Sequence, residues 1–242
     1  MSPFRIIPTL LILDEELVKG KNFANYRYVG DPINAVKIFN EKEVDEICIL
    51  DIGISKNKMK PNFDLLEEIA SEAFMPLSYG GGLNDISEVK RVLQGGAEKV
   101  VFNYAAYKNK SLIRECAENF GSSSTVVSID VKKIGSEYKI FILNGTVNTG
   151  LDPVEFSREM EGIGAGEIIL TSIDREGSKL GYDLSLIEKV SRSVNIPVIA
   201  NGGAGNKTHF EEAIKVGASA VTAGTYFVFY GNLDGVLITY NI

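Results

Sequence analysis

The feature that most limits what this chain can fold into is an internal repeat. A shift of 121 residues lays Asp31-Pro32 on Asp152-Pro153, Glu46-Ile47 on Glu167-Ile168 and Pro76 on Pro197. The same shift carries Gly81-Gly82 onto Gly202-Gly203 and Gly96-Ala97 onto Gly217-Ala218. Five matches at one offset divide the 242 residues into two similar halves, roughly 1–120 and 121–242. Each half alternates short apolar runs with amphipathic stretches. The runs Arg5–Leu11, Glu46–Leu50, Pro76–Tyr79 and Lys99–Asn103 predict strands buried on both faces of a parallel sheet. Thr125–Asp130, Glu167–Thr171, Pro197–Asn201 and Ala220–Gly224 predict the same in the second half. Asp31-Pro32, Asn62 and Asp85 carry N-cap chemistry for intervening helices, as do Asp152-Pro153, Asp183 and Asn206. Eight such units predict an α/β fold: a single (β/α)8 TIM barrel over residues 1–242, built from two similar half-barrels. An open doubly wound sheet fits less well, because no GxGxxG follows the first strand. Only 18 residues follow Gly224, with little helical periodicity, so the eighth helix is expected to be short or degraded.

Composition narrows the class. Lys and Arg total 25 against 32 acids, a formal charge of −7, which argues against a generic nucleic-acid binder. The longest uncharged stretch, Val216–Leu233, is interrupted by Gly217, Ser219, Thr222, Gly224, Thr225 and Gly231, too polar for a membrane span. The N-terminal MSPFRII lacks the apolar core of a signal peptide. Cys48 and Cys116 have no CxxC spacing and read as reduced core residues of a cytoplasmic protein. One histidine and two scattered cysteines do not make a usual zinc site, and no cofactor motif appears. The lone His209 reads as a surface residue.

In a barrel of this kind chemistry sits at the C-terminal ends of the strands. Three long loops lie there: Ile12 to Gly30, Val131 to Gly150, whose alternation predicts a hairpin, and Ser172 to Gly181. Gly80-Gly81-Gly82 and Asn201-Gly202-Gly203 end strands three and seven, while Asn103 and Gly224-Thr225 end strands four and eight. Glycine lets backbone N–H groups close on a phosphate, so the repeat implies two phosphate cradles and a ligand phosphorylated at each end. The alternative is that these glycines only permit tight turns. Asp130 ends strand five as a candidate general acid or base, or else a helix cap or an ion-pair partner of Lys132. The end of the first strand carries Leu11, with Asp14 and Glu15 beyond it. Arg5, Glu46, Lys99 and Glu167 stand at strand beginnings; they could pair as an interior ring, although ordinary surface charge is the simpler reading. Asp174-Arg175-Glu176 reads as a solvated loop cluster.

The segments RII…LVKG…NF, GDP, YGGG, EKV…N, VVSID, TSIDREG…GYD and IANGGAG resemble the cyclase (HisF-like) subunit of imidazole glycerol phosphate synthase. The likeness runs from Arg5 to about Phe227. It implies a barrel that takes ammonia from a glutaminase partner docked at the bottom face, near Glu98 and Lys99. Ammonia would pass a charged gate, for which Arg5, Glu46, Lys99 and Glu167 match. It would then add to a substrate with two phosphates, with Lys19, Gly82, Asn103, Thr171, Gly177, Gly203 and Thr225 at ligand-binding positions. Asp130 matches one of two catalytic aspartates. The other falls on Leu11, which cannot transfer a proton. Glu176 stands where aspartate is usual, Asn201 where serine is usual, and Tyr104 where a small residue is common.

With RIIPTLLI, YVGDPINAVKIFNEKEVDE and the FVFYG…GVLITY ending, the chain is most similar to the acetamidino-modification branch found in surface-polysaccharide gene clusters. That resemblance implies ammonia delivery for converting an acetamido sugar to its acetamidino form, together with a separate sugar amidotransferase. Two other readings stay open. One is an ordinary histidine-pathway cyclase in which Asp14 or another acid replaces the missing aspartate. The other is a non-catalytic ammonia conduit.

Overall fold

The computed structural model describes residues 4–57, 59–231, 233–240 and 242. The first three residues of MSPFRII, and Asn232 and Asn241 of the C-terminal tail, lie outside them. Eight parallel strands close into a barrel: β1 (Arg5–Leu13), β2 (Ile47–Asp51), β3 (Leu77–Gly80), β4 (Lys99–Phe102), β5 (Thr125–Ile134), β6 (Glu167–Ser172), β7 (Val198–Asn201) and β8 (Ala220–Ala223). Each pairs with the next, and β8 closes on β1 with Arg5 beside Ala220 and Ile7 beside Thr222. All eight expected strands are present, with ends within two residues of expectation except in β5, which runs four residues further, to Ile134.

The helices start where the cap residues stand. Helix α1 (Pro32–Glu41) opens with Asp31 accepting from the Asn34 N–H at 2.7 Å. Helices α2 (Phe63–Ser71) and α3 (Ile86–Gln94) open on Asn62 and Asp85. No side chain caps α4 (Lys110–Phe120), whose start carries no sequence signal. Asp152, Asp183 and Asn206 cap α5 (Pro153–Ile163), α6 (Leu184–Ser191) and α7 (Lys207–Lys215). Each cap satisfies N–H groups that have no partner inside the helix. The eighth helix is one turn, Thr225–Val228, followed by the two-residue strands Phe229–Tyr230 and Gly235–Val236. Among the described residues no helix is long and apolar enough to cross a membrane.

The Ile12–Gly30 loop is more ordered than its polarity suggests. Strands Glu16–Lys21 and Ala24–Gly30 form an antiparallel extension of β1. Their tight turns place Asp14 (φ 52°), Glu15 (φ 66°), Asn22 (φ 53°) and Phe23 (φ 61°) in left-handed backbone. The expected hairpin after β5 is also present, with Glu137–Ile142 antiparallel to it.

Between the barrel and the helices lies the main core. Phe39 from α1 is fully buried and meets the edge of Phe227 at 6.2 Å between ring centroids. Cys48 and Cys116 are buried free thiols. Phe39→Ala leaves a cavity between α1 and the terminal segment; chemical denaturation is expected to show a loss of about 3–5 kcal/mol.

Candidate active site

Side chains alternate across a strand, so every second residue of each barrel strand points inward. Layers of interior chemistry follow from that period. At the bottom, Arg5 Nη1 meets Glu46 at 2.7 Å and Nη2 meets Glu167 at 2.7 Å. Lys99 Nζ meets Glu46 at 3.1 Å and Glu167 at 2.9 Å. The four charges form a closed ring of alternating sign, and Ser78 Oγ donates to Glu46 at 2.8 Å. The surface-charge reading fails at Glu46 and Glu167, whose side chains are only 5% and 11% exposed. Two buried carboxylates are tolerated because each has two cationic partners. Beside the ring, Glu98 is exposed.

Above the ring comes an apolar layer of Ile7, Cys48, Val101, Val126, Ile169, Ile199 and Ala220. Thr9 and Thr222 lie one step higher and hydrogen-bond to each other. The column opens into a cavity at the C-terminal strand ends. Its lining includes Leu11, Lys19, Asp51, Gly81, Gly82, Asn103, Tyr104, Asp130, Thr171, Glu176, Gly177, Asn201, Gly202, Gly203, Gly224 and Thr225. Every ligand-position residue expected from the sequence is therefore gathered in one place.

Asp130 is fixed by its neighbours. Asn103 Nδ2 donates to its carboxylate at 3.0 Å and to Ser128 O at 3.0 Å. Thr171 supplies a second side-chain hydrogen bond and is itself held by Asn201 Nδ2 at 3.0 Å. Neither alternative reading of Asp130 survives: it caps no helix, and Lys132 donates to Gly145 O at 2.7 Å instead. Burial lifts the Asp130 carboxyl to about 7, against the opposing pull of Thr171 and Asn103. Lys19 is buried with its ammonium against Gly224, where a side chain would collide with it. Burial lowers the Lys19 pKa, and the charge of Glu176 partly offsets this.

Two sequence expectations are corrected here. Glu176 is not a solvated loop residue; it is 7% exposed, lines the cavity and accepts from the Phe23 N–H at 3.4 Å. The bend at Gly177, against the backbone of Gly20 and Lys21, turns that loop inward. His209 is half-buried rather than on the surface, its Nδ1 accepting from the Gly205 N–H at 3.1 Å.

Phe23, Tyr26, Asp51 and Asn144 line the cavity without having been singled out from the sequence. Phe23 and Tyr26 roof it from the hairpin after β1, and Asn144 Nδ2 ties the β5 hairpin to Ile52 O at 3.0 Å. Tyr26 is raised to about 12, mainly by burial and further by Glu176 and Asp130. Their turns hold Asn22, Phe23, Leu143 and Asn144 at positive φ. Among the described residues, no group of three His, Cys, Asp or Glu side chains is placed to hold a metal ion.

Asp130 makes the fold sensitive to pH. Its folded pKa lies above the unfolded value of about 3.9, so its contribution is complete below that and is lost as pH rises through 7. Asp130→Asn removes the cost of burying the ionised group while keeping the acceptor oxygen. Thermal denaturation should show Tm up by roughly 2–6 °C at pH 8 and by less than half of that at pH 5.

The comparisons with known proteins agree with this geometry. The family profile for histidine biosynthesis proteins matches residues 5–234. A putative imidazole glycerol phosphate synthase subunit HisF2 of Pseudomonas aeruginosa is 45% identical, over 98% of this chain and 95% of its own. A putative HisF subunit of Leptospira borgpetersenii is 44% identical over 98% and 94%. The imidazole glycerol phosphate synthase subunit HisF of Sulfurisphaera tokodaii is 43% identical over 98% and 93%. A match of this extent means that the chain, a closed barrel, belongs to the HisF group of the histidine biosynthesis protein family.

Proposed function

We propose that this chain is the ammonia-receiving synthase subunit of a glutamine amidotransferase pair. A glutaminase seats on the face around Glu98 and the Arg5–Glu46–Lys99–Glu167 ring, and ammonia enters the barrel there. The observation that carries this reading is the stacking of charged ring, apolar layer and anion-receptive cavity on one barrel axis. Neutral ammonia crosses the layer of Ile7, Val101 and Ile169 at far lower cost than ammonium, because an isolated charge is expensive to desolvate. In the cavity, Lys19 with Gly203, Gly224 and Thr225 grips one phosphate, and Gly81, Gly82 and Asn103 receive the other. Asp130, near 7, gives a proton to an oxygen of the substrate as ammonia adds.

The reaction that fits the relatives is the imidazole glycerol phosphate synthase step: ammonia-dependent cleavage and ring closure on a bis-phosphorylated substrate. Leu11 favours a second reading. It lies in the cavity where a proton-transferring group would serve ring closure. In that reading the ammonia amidinates an acetamido sugar of a surface polysaccharide, with a separate sugar amidotransferase. In a strain lacking its own cyclase subunit, growth without histidine supports the first reading. Failure to grow, with normal expression and with glutaminase binding intact, turns the assignment to the second.

The partnership has its own test. Titrating the chain into the glutaminase should stimulate glutamine hydrolysis, and no stimulation at saturating ratios rejects the pair. Lys99→Ala should cut transfer of glutamine-derived nitrogen by at least about tenfold while turnover with added ammonium salt persists. Asp130→Asn should abolish product from both nitrogen sources; full activity in that variant would leave the chain a passive conduit.

A further inference from the structure

The step from the apolar layer to the cavity is made by hydroxyls whose hydrogen bonds run in one direction. Thr9 stands two residues above Ile7 on β1, and Thr222 two above Ala220 on β8, so both point into the barrel. Both are buried, and both line the floor of the cavity. Thr222 is in register with Ile7, and its Oγ1 donates to the Ile7 carbonyl at 2.8 Å. A hydroxyl carries a single proton. With its own proton given to Ile7, Thr222 meets Thr9 as an acceptor, so Thr9 donates the hydrogen bond between the two side chains. The relay from Thr9 through Thr222 to Ile7 therefore consumes both protons. What Thr9 Oγ1 still offers to the cavity is lone pairs alone.

That polarity suits one kind of guest. Ammonia has three N–H donors and one lone pair, and the lone pair is its nucleophile. An acceptor in the floor holds ammonia through an N–H and leaves the lone pair free, whereas a donor there would cap it. Below, the side chains of Ile7, Val101, Val126 and Ile169 offer ammonia no hydrogen bond, so Thr9 is where desolvated ammonia regains a partner. Lys19, whose ammonium rests against Gly224 two residues beyond Thr222, opposes a second cation at this level but not a neutral molecule.

We propose, on the basis of the ammonia-using reading above, that Thr9 and Thr222 form an ammonia-binding site in the floor of the cavity. Thr9 Oγ1 accepts an N–H of ammonia, and Thr222, anchored to Ile7, is the positioning residue that keeps Thr9 turned that way. Ammonia leaving the apolar layer is held here with its lone pair free for the substrate above.

Threonine-methyl NMR of the full chain tests the site whatever the final acceptor of the nitrogen. In alkaline buffer, where ammonium salt supplies free ammonia, ammonium chloride should shift the Thr9 and Thr222 methyl signals saturably, and potassium chloride at equal concentration should not. In Thr9→Val, which exchanges the hydroxyl for a methyl group, the Thr222 response should vanish; in Thr9→Ser it should persist. Equal responses to the two salts, or an unchanged Thr222 response in Thr9→Val, overturn the inference and leave the floor as a water site. In ammonium-driven turnover, Thr9→Val should raise the KM for ammonia about tenfold with kcat within about threefold, the scale of one lost hydrogen bond, and Thr9→Ser should restore it. An active enzyme whose KM for ammonia is unchanged in Thr9→Val also overturns the inference and spares the proposed function. Failure to stimulate the glutaminase rejects the proposed function instead, and the methyl signals still decide the site.

Discussion

Closure of eight parallel strands is the constraint on which the rest of the structure depends. Once β8 pairs with β1, every barrel strand has two neighbours and its side chains must alternate between the interior and the helix layer. That alternation decides the chemistry of the interior. Arg5, Ile7, Thr9 and Leu11 rise in single file along β1 because they are two residues apart. Glu167, Ile169 and Thr171 do the same on β6. A slip of one residue in any strand would turn its ring charge or its ligand residue out into the helix layer.

The ring and the cavity place opposite electrostatic demands on one cylinder. At the bottom, each charge is answered by two of opposite sign, so the nearly buried side chains of Glu46 and Glu167 are each ion-paired twice. At the top, Asp130 is buried and Asp51 partly buried, neither with a paired cation among the described residues, and burial raises their pKa values toward neutrality. Ionised groups at the top are costly to the fold, and groups poised between two protonation states are useful for proton transfer. Lys19 is the complementary case, an ammonium held dry against Gly224 where an anion would stabilise it.

Much of the barrel was legible in the sequence because the signals are local. Continuous apolar runs marked the eight strands, and Asp or Asn caps marked six helices. Helix α4 lacked a capping side chain and so gave no comparable start signal. The glycine clusters and Asp130 pointed to one cavity because the repeat fixed which strand ends they occupy. The hairpin after β1 escaped, since its strands are held by pairing with β1 and its turns use non-glycine residues at positive φ. With it went Phe23 and Tyr26. Glu176 was misjudged because an acid in a polar loop looks solvated until the turn at Gly177 folds that loop inward.

The sequence by itself determined the order of strands and helices, the twofold repeat and the residue types available at each strand end, because these depend on periodicity and on neighbours in the chain. Whether the four bottom charges pair, whether Thr9 meets Thr222, and whether Lys19 is dry were decided only by the tertiary structure. Each of those outcomes depends on which strands become neighbours around the barrel and on how much water their packing leaves, and neither is written in any single segment.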